Sequence, residues 1–358
     1  MKTLTRYLIS EVLLTSLFVL AALIGLFLFF DLIAELHDLG KGSYTFAKML
    51  LYVGLLAPRH AYEFMPIAAL IGGMLALSLL NQHSEYTVMR VGGLSIARVL
   101  GILAMAGLLF ASITLAIGEY LAPFSERAAT QLRLSAKGQV VAQDYRSGFW
   151  LKDDRNFVNV REVLPDQTLR HVNIYLFDTQ RHLTSYGYAE RGLWQAEENA
   201  WALSTVTLTR FDGAGVHVEQ LPNQLWRSVL TPRTLADMLV APEQMSMVSL
   251  VDYIKHLERN QQQTGRYEIA LWTKLVYPFI CVAMLIIALP FAQTQRRAGG
   301  VGVKLFVGIM LGLSFYFVNQ LIAHMGLLYD WSPLVSAIAP SLALLVLALG
   351  LLYLQERR

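Results

Sequence analysis

Residues 149–154 read FWLKDD, 156–163 NFVNVREV, 172–178 VNIYLFD, 200–211 AWALSTVTLTRF and 216–221 VHVEQL. Apolar and polar residues alternate along these segments with the period of two that sends successive side chains to opposite faces of a strand. Turn-forming residues punctuate the region: Pro165-Asp166, Gly187, Gly192, Glu198-Asn199 and Asp212-Gly213. Short strands, regular turns and no helical crossover predict an all-β unit of the β-sandwich or β-jelly-roll type. Its inward face should carry Val158, Val160, Ile174, Leu176, Val206 and Leu208. Such a face is either a simple core or an enclosure for acyl chains.

This unit lies in a polar middle, residues 125–267, that holds most of the charge of the chain. Apolar runs flank it at 12–33, 66–80 and 99–121, then at 269–292, 303–323 and 334–354. Most approach or exceed the roughly 20 residues that cross a bilayer core. The expected fold is an α-helical membrane protein of six transmembrane helices with an inserted all-β domain. Residues 1–124 would carry helices one to three, 125–267 the β-jelly-roll domain with a flanking amphipathic helix, and 268–358 helices four to six. Composition agrees: 55% of the 358 residues are hydrophobic, 15% are charged and the mean hydropathy is +0.46, too apolar for an ordinary soluble domain. The first run exceeds a signal-peptide core and lacks a clean small-residue cleavage site, so it is expected to be retained.

Several chemistries fall away. A net charge of +3 with scattered bases argues against nucleic acid as a partner. The single cysteine, Cys281, lies in an apolar run, which rules out an intrachain disulfide. The nearest approach to a phosphate-binding loop, GGVGVKL at 299–305, lacks a hydroxyl residue after its lysine, and neither HExxH nor GxSxG occurs. No cofactor is expected on this chain, and any ATP hydrolysis belongs to another subunit.

Lys and Arg in the short loops set the orientation. Lys2, Arg6, Arg90, Arg98, Arg296, Arg297, Lys304, Arg357 and Arg358 share one side; the other has Lys41, Lys48 and Arg59 beside Asp31, Glu35, Asp38 and Glu63. Both termini are therefore expected in the cytoplasm and the β domain outside.

The remaining signals are local. Arg59, His60 and Glu63 fall near the outer end of span two, where they either snorkel to headgroups or face a cavity. Between spans two and three, NQHSEYTVMRVGGLSIAR at 81–98 predicts a short helix capped by Ser84 and stopped by Gly92-Gly93, with Glu85 near its start and Arg90 near its end. It suits a coupling helix that docks on a partner, or a solvated turn that merely satisfies topology. Pro123 is expected to break span three, after which Arg127, Arg133 and Lys137 stand at the mouth of the β domain, where an anionic headgroup would emerge. Ser249 and Asp252 suggest a capping box for an amphipathic helix ended by Gly265. Gly308 and Gly312 form a GxxxG pair that permits close helix contact, and Asn319, Gln320 and His324 offer bonds across helices.

APRHAYEFMPIAALIG, SEYTVMRVGGLS, GEYLAPFSE and GRYEIALWTKLVYPF, set in this layout, resemble the lipopolysaccharide export permeases of the LptF/LptG family, on its LptG branch. The resemblance runs nearly end to end. It implies an inner-membrane permease that pairs with the LptF permease on an LptB ATPase dimer, where ATP and Mg bind, with LptC alongside and lipopolysaccharide as cargo. Glu85 matches the glutamate of the family's coupling helix, with Arg90 nearby. Arg59 and Arg133 match basic positions that face lipid A phosphates. Relatives carry a lysine near the outer end of span one; Asp31 and Glu35 occupy that region here, leaving Lys41 as its substitute and Lys137 as a further basic contact. Two other classes share the layout: a membrane-anchored assembly or scaffold factor, which has less use for a charged cytoplasmic helix, and a secondary transporter, which would more often carry ionisable residues at mid-membrane.

Overall fold

Among the described residues of the protein, six helices are long and apolar enough to cross a membrane. In the computed structural model the described residues are 2–137, 148–153, 156–164, 168–180, 182–212, 215–228, 231–232, 235, 241–259, 261–294 and 301–356. The Pro165-Asp166 turn, Gly213, the Arg296-Arg297 pair, Arg357 and Arg358 lie outside them.

Helix α1 spans Lys2–Glu35, α2 Phe46–Leu55, α3 Ala57–Gln82, α4 Glu85–Val91, α5 Ile96–Ala116 and α6 Ala122–Lys137. Pro58 sits in the first turn of α3, where its missing N–H costs nothing. Ser95 caps α5 by accepting the Arg98 N–H at 3.3 Å. The break expected at Pro123 does not occur. A π turn at Ile117–Leu121 joins α5 to α6, with the Ala122 N–H reaching back to the Ile117 carbonyl. The wider turn eases the clash a proline ring makes with the carbonyl four residues earlier, so helical backbone continues from Ile96 to Lys137, 42 residues. Ser84 precedes α4 in the left-handed region, φ +61°, and its side chain makes no cap, whereas Gly92 and Gly93 end the helix as expected.

Six strands follow: β1 Phe149–Asp153, β2 Asn156–Val163, β3 Leu169–Phe177, β4 Leu183–Gln195, β5 Ala200–Asp212 and β6 Gly215–Trp226. They pair antiparallel in sequence order, so the described strands form a meander, without the Greek-key crossing of a jelly roll. The rows Val158–Ile174–Gly187–Leu208 and Val160–Val172–Ala189–Val206–Leu221 run across neighbouring strands on one face. Val158, Val160, Val206 and Leu208 are buried as expected, Ile174 packs against the same cluster and Leu176 is half-buried. Gly187 and Gly192, expected at turns, lie inside β4. A Cβ at Gly192 would come within 3.1 Å of the Leu203 side chain, so the absent side chain makes room on the apolar face. Asp178 closes the β3–β4 turn by accepting the His182 and Gln180 backbone N–H groups, both at 2.8 Å, and these donors hold its carboxyl below the usual carboxylate range.

The chain returns through α7 Met247–Arg259, then α8 Gly265–Thr294, α9 Val301–Leu328 and α10 Pro333–Glu356. The Ser249–Asp252 capping box is not the start of α7, which begins two residues earlier. Ser246 accepts the Ser249 N–H at 3.1 Å, and Glu119 of the π turn accepts the Met247 N–H at 2.8 Å. Gly265 opens α8 instead of closing α7, because Thr264 accepts the Glu268 N–H at 3.0 Å as the cap of the new helix. Helix α3 is the most enclosed span, packed by α1, α8 and α9. Gly308 and Gly312 bring α9 onto it: a Cβ at either would stand 3.0 Å from Ile71 or Ile67. Gln320 and His324 lie exposed on α9.

Candidate functional site

The end of the helix bundle nearest the β domain collects charge from three spans. Carboxylates come from α1 and the turn after it, Asp31, Glu35 and Asp38, from α3, Glu63, and from α6, Glu126. Bases come from the loop after α1, Lys41, from α3, Arg59 and His60, and from α6, Arg133 and Lys137. Helical spacing makes this convergence possible. Arg59 and Glu63 stand one turn apart on α3, and Arg133 and Lys137 one turn apart on α6.

The groups pair in two adjoining sets. Arg59 Nε donates to Glu63 Oε1 at 2.9 Å and its Nη1 to Glu126 Oε1 at 2.9 Å, while His60 Nε2 lies 2.6 Å from Asp31 Oδ2. Arg133 Nη2 meets Glu35 Oε1 at 2.8 Å and Asp38 Oδ2 at 3.3 Å. Lys137 Nζ donates to Glu35 Oε2 at 3.2 Å and to Asp38 Oδ2, and Lys41 Nζ holds the other Asp38 oxygen at 2.6 Å. Tyrosine faces lie beside two of the cations, Tyr52 under Arg133 at 5.4 Å and Tyr44 by Lys137 at 5.0 Å.

Exposure separates the four expected lipid contacts. The side chains of Arg59, Arg133 and Lys41 are 38%, 41% and 49% exposed, whereas that of Lys137 is 1% exposed. The first three present donors outward; Lys137 is enclosed between two carboxylates and a tyrosine. The loop that carries Lys41 closes over the end of α6, with the Ser43 N–H on the Ala136 carbonyl at 2.7 Å. Gly42 adopts φ +60°, and a Cβ there would stand 2.8 Å from that carbonyl. Five bases, His60 counted as ionised, face five carboxylates, so the cluster carries no net positive charge. An incoming anion gains most by taking guanidinium donors from carboxylates that already hold them. Glu126, Glu35 and Asp38 thus belong to the same cluster as the expected lipid contacts. Sequence reading took the last two only as an acidic edge and passed over Glu126, whose sole signal was its place inside GEYLAPFSE.

At the opposite end of α1, the Tyr7 hydroxyl donates to Glu85 Oε2 at 2.9 Å. Helix α4 packs on α3, buries Tyr86 in a cluster that also takes in residues of α1 and α5, and leaves Val88 and Val91 exposed, at 68% and 86%. Arg90 turns back to the Leu94 carbonyl at 3.3 Å. A short helix with one face anchored and an apolar face exposed beside a carboxylate has the form of a docking element.

Comparison with known proteins accords with this geometry. A family model described as "Lipopolysaccharide export system permease LptF/LptG" matches residues 6–354. The chain is 31% identical over 338 residues, 94% of its length and 93% of the relative's, to the lipopolysaccharide export system permease protein LptG of Escherichia coli K12. It is 29% identical over 351 residues, 98% of both chains, to the LptG protein of Haemophilus influenzae. With six membrane-crossing helices, an inserted antiparallel sheet and a match along almost its whole length, the chain belongs to the LptF/LptG family of lipopolysaccharide export permeases.

Proposed function

We propose that the chain is one of two permease subunits of an ABC transporter that extracts lipopolysaccharide from the outer leaflet of the Gram-negative inner membrane and passes it to a periplasmic bridge toward the outer membrane. Its pair is the LptF permease; the two rest on an LptB ATPase dimer, where ATP and Mg bind, with LptC alongside. Both termini and α4 face the cytoplasm, and the sheet faces the periplasm. The exposed Gln320 and His324 of α9 support a second permease, since polar side chains on a membrane helix gain from a protein neighbour.

One observation carries the reading: two half-exposed guanidinium groups, Arg59 and Arg133, converge from different spans at the end of the bundle that bears the sheet. The fork of each matches a phosphate oxygen pair. In this reading Lys41 joins them at the surface, and the enclosed Lys137 acts from behind by holding Glu35 and Asp38 as phosphate engages Arg133. Moving several acyl chains out of the bilayer at about 0.8 kcal/mol per CH₂ requires an external energy source, supplied through Glu85 and Arg90 on α4.

Photo-crosslinking of lipopolysaccharide in cells tests the rim. Arg59→Glu and Arg133→Glu should each cut crosslinking and export, the double variant most, and Arg→Lys at either position should cut them less. Unchanged crosslinking and export in a properly inserted double variant would remove the proposed phosphate site.

A further inference from the structure

Helix α1 runs unbroken for 34 residues and has polar partners at both ends. Toward the sheet, Asp31 holds His60 of α3, and Glu35 holds Arg133 and Lys137 of α6. At the other end Tyr7 holds Glu85 of α4. The apolar contacts there run in parallel: Leu8, Val12 and Tyr86 belong to one buried cluster, with Leu4 and Met89 packed against it. Helix α4 packs chiefly on α3, and the tyrosine hydroxyl supplies a polar tie from α4 to α1.

Glu85 has two carboxylate oxygens, and Tyr7 occupies Oε2. That bond restricts the side-chain torsions of the carboxylate and leaves Oε1 for a base on another protein. We propose that Tyr7 is a positioning residue for energy transfer, its hydroxyl presenting Glu85 to the ATPase and tying displacement of the coupling helix to span one. The proposal rests on the coupling role given to Glu85 above. Loss of the hydroxyl loosens two things together, the orientation of the carboxylate and the polar tie between α4 and α1. ATP hydrolysis then proceeds with less of its work delivered to the rim.

The test uses the complete complex in proteoliposomes loaded with lipopolysaccharide, comparing Tyr7→Phe, Glu85→Ala and the double variant. Tyr7→Phe keeps the ring and its packing, so the complex should assemble and hydrolyse ATP within about twofold of the unaltered protein. Lipid released per ATP should fall severalfold, a ratio that a merely structural defect, which lowers both rates together, does not move. In the double-variant cycle the two substitutions should be strongly non-additive, because each removes the same bond. Normal release per ATP in Tyr7→Phe, or losses that multiply in the double variant, would overturn the role of Tyr7. If Glu85→Ala itself leaves assembly and release intact, the coupling role of Glu85 fails instead, a result distinguishable from failure of Tyr7 alone.

Discussion

Lys137 and Lys41 touch the same carboxylate, Asp38, yet differ in surroundings, and the difference sets what each is worth. Removing one member of a buried pair leaves an uncompensated charge and costs about 3–5 kcal/mol, whereas an exposed pair contributes about 0–1 kcal/mol. Lys137→Met should therefore lower the unfolding midpoint of the detergent-solubilised protein clearly, and Lys41→Ala scarcely. Adding Glu35→Gln to Lys137→Met should recover part of the loss. Equal shifts for the two single variants would show that enclosure of Lys137 contributes nothing. At this scale the sequence reading found the cations and missed their partners. Topology brought Arg59, Arg133 and Lys137 to one end of the bundle, but no spacing rule connects Glu35 with Lys137 across 102 positions. Helical periodicity pairs neighbours, and these bonds depend on how three helices lean together.

Elements were legible where periodicity or turn chemistry was strong, and obscured where a distant group took over a local role. Five of the six described strands, the short α4 and all six spans follow from pattern, whereas β4 does not, because its glycines read as turns. The start of α7 did not, because its cap is shared between Ser246 and a carboxylate 128 positions earlier, Glu119. Sequence favoured the Ser249–Asp252 box only because it was the nearest acceptable pair. Glu119→Ala should free the Met247 and Val248 amides, at about 1 kcal/mol for a lost cap. Hydrogen exchange should then rise at the first turn of α7 while β2–β5 stay unchanged; unaltered protection there would argue that Ser246 suffices. The glycines of β4 mislead for a related reason. Gly in a strand reads as punctuation, yet at Gly192 it answers to Leu203 and Leu169 on neighbouring strands.

Across the whole molecule, composition and hydropathy disclosed a membrane bundle with an inserted sheet, and the loop bases gave an orientation that labelling can check. Val91→Cys, on the exposed face of α4, should react with impermeant thiol reagent only from the cytoplasm, and Glu198→Cys, in the β4–β5 turn, only from the periplasm. The native Cys281 is fully buried against Thr114 and should stay silent. Reaction of either position from the wrong side would invert the topology. The continuous helix from Ile96 to Lys137 has a further consequence. At 1.5 Å per residue it extends about 63 Å, against about 40–45 Å for a bilayer with its headgroups. Even when tilted, it projects beyond the lipid surface as a post, and its end carries Arg133 and Lys137 of the rim. Between the headgroups and that rim lies a gap of up to roughly three helical turns. Acyl chains crossing such a gap bare to water would forfeit the hydrophobic stabilisation they had in the membrane. The passage has to be walled, and one post forms only one side of it; in the proposed assembly the second permease supplies the other.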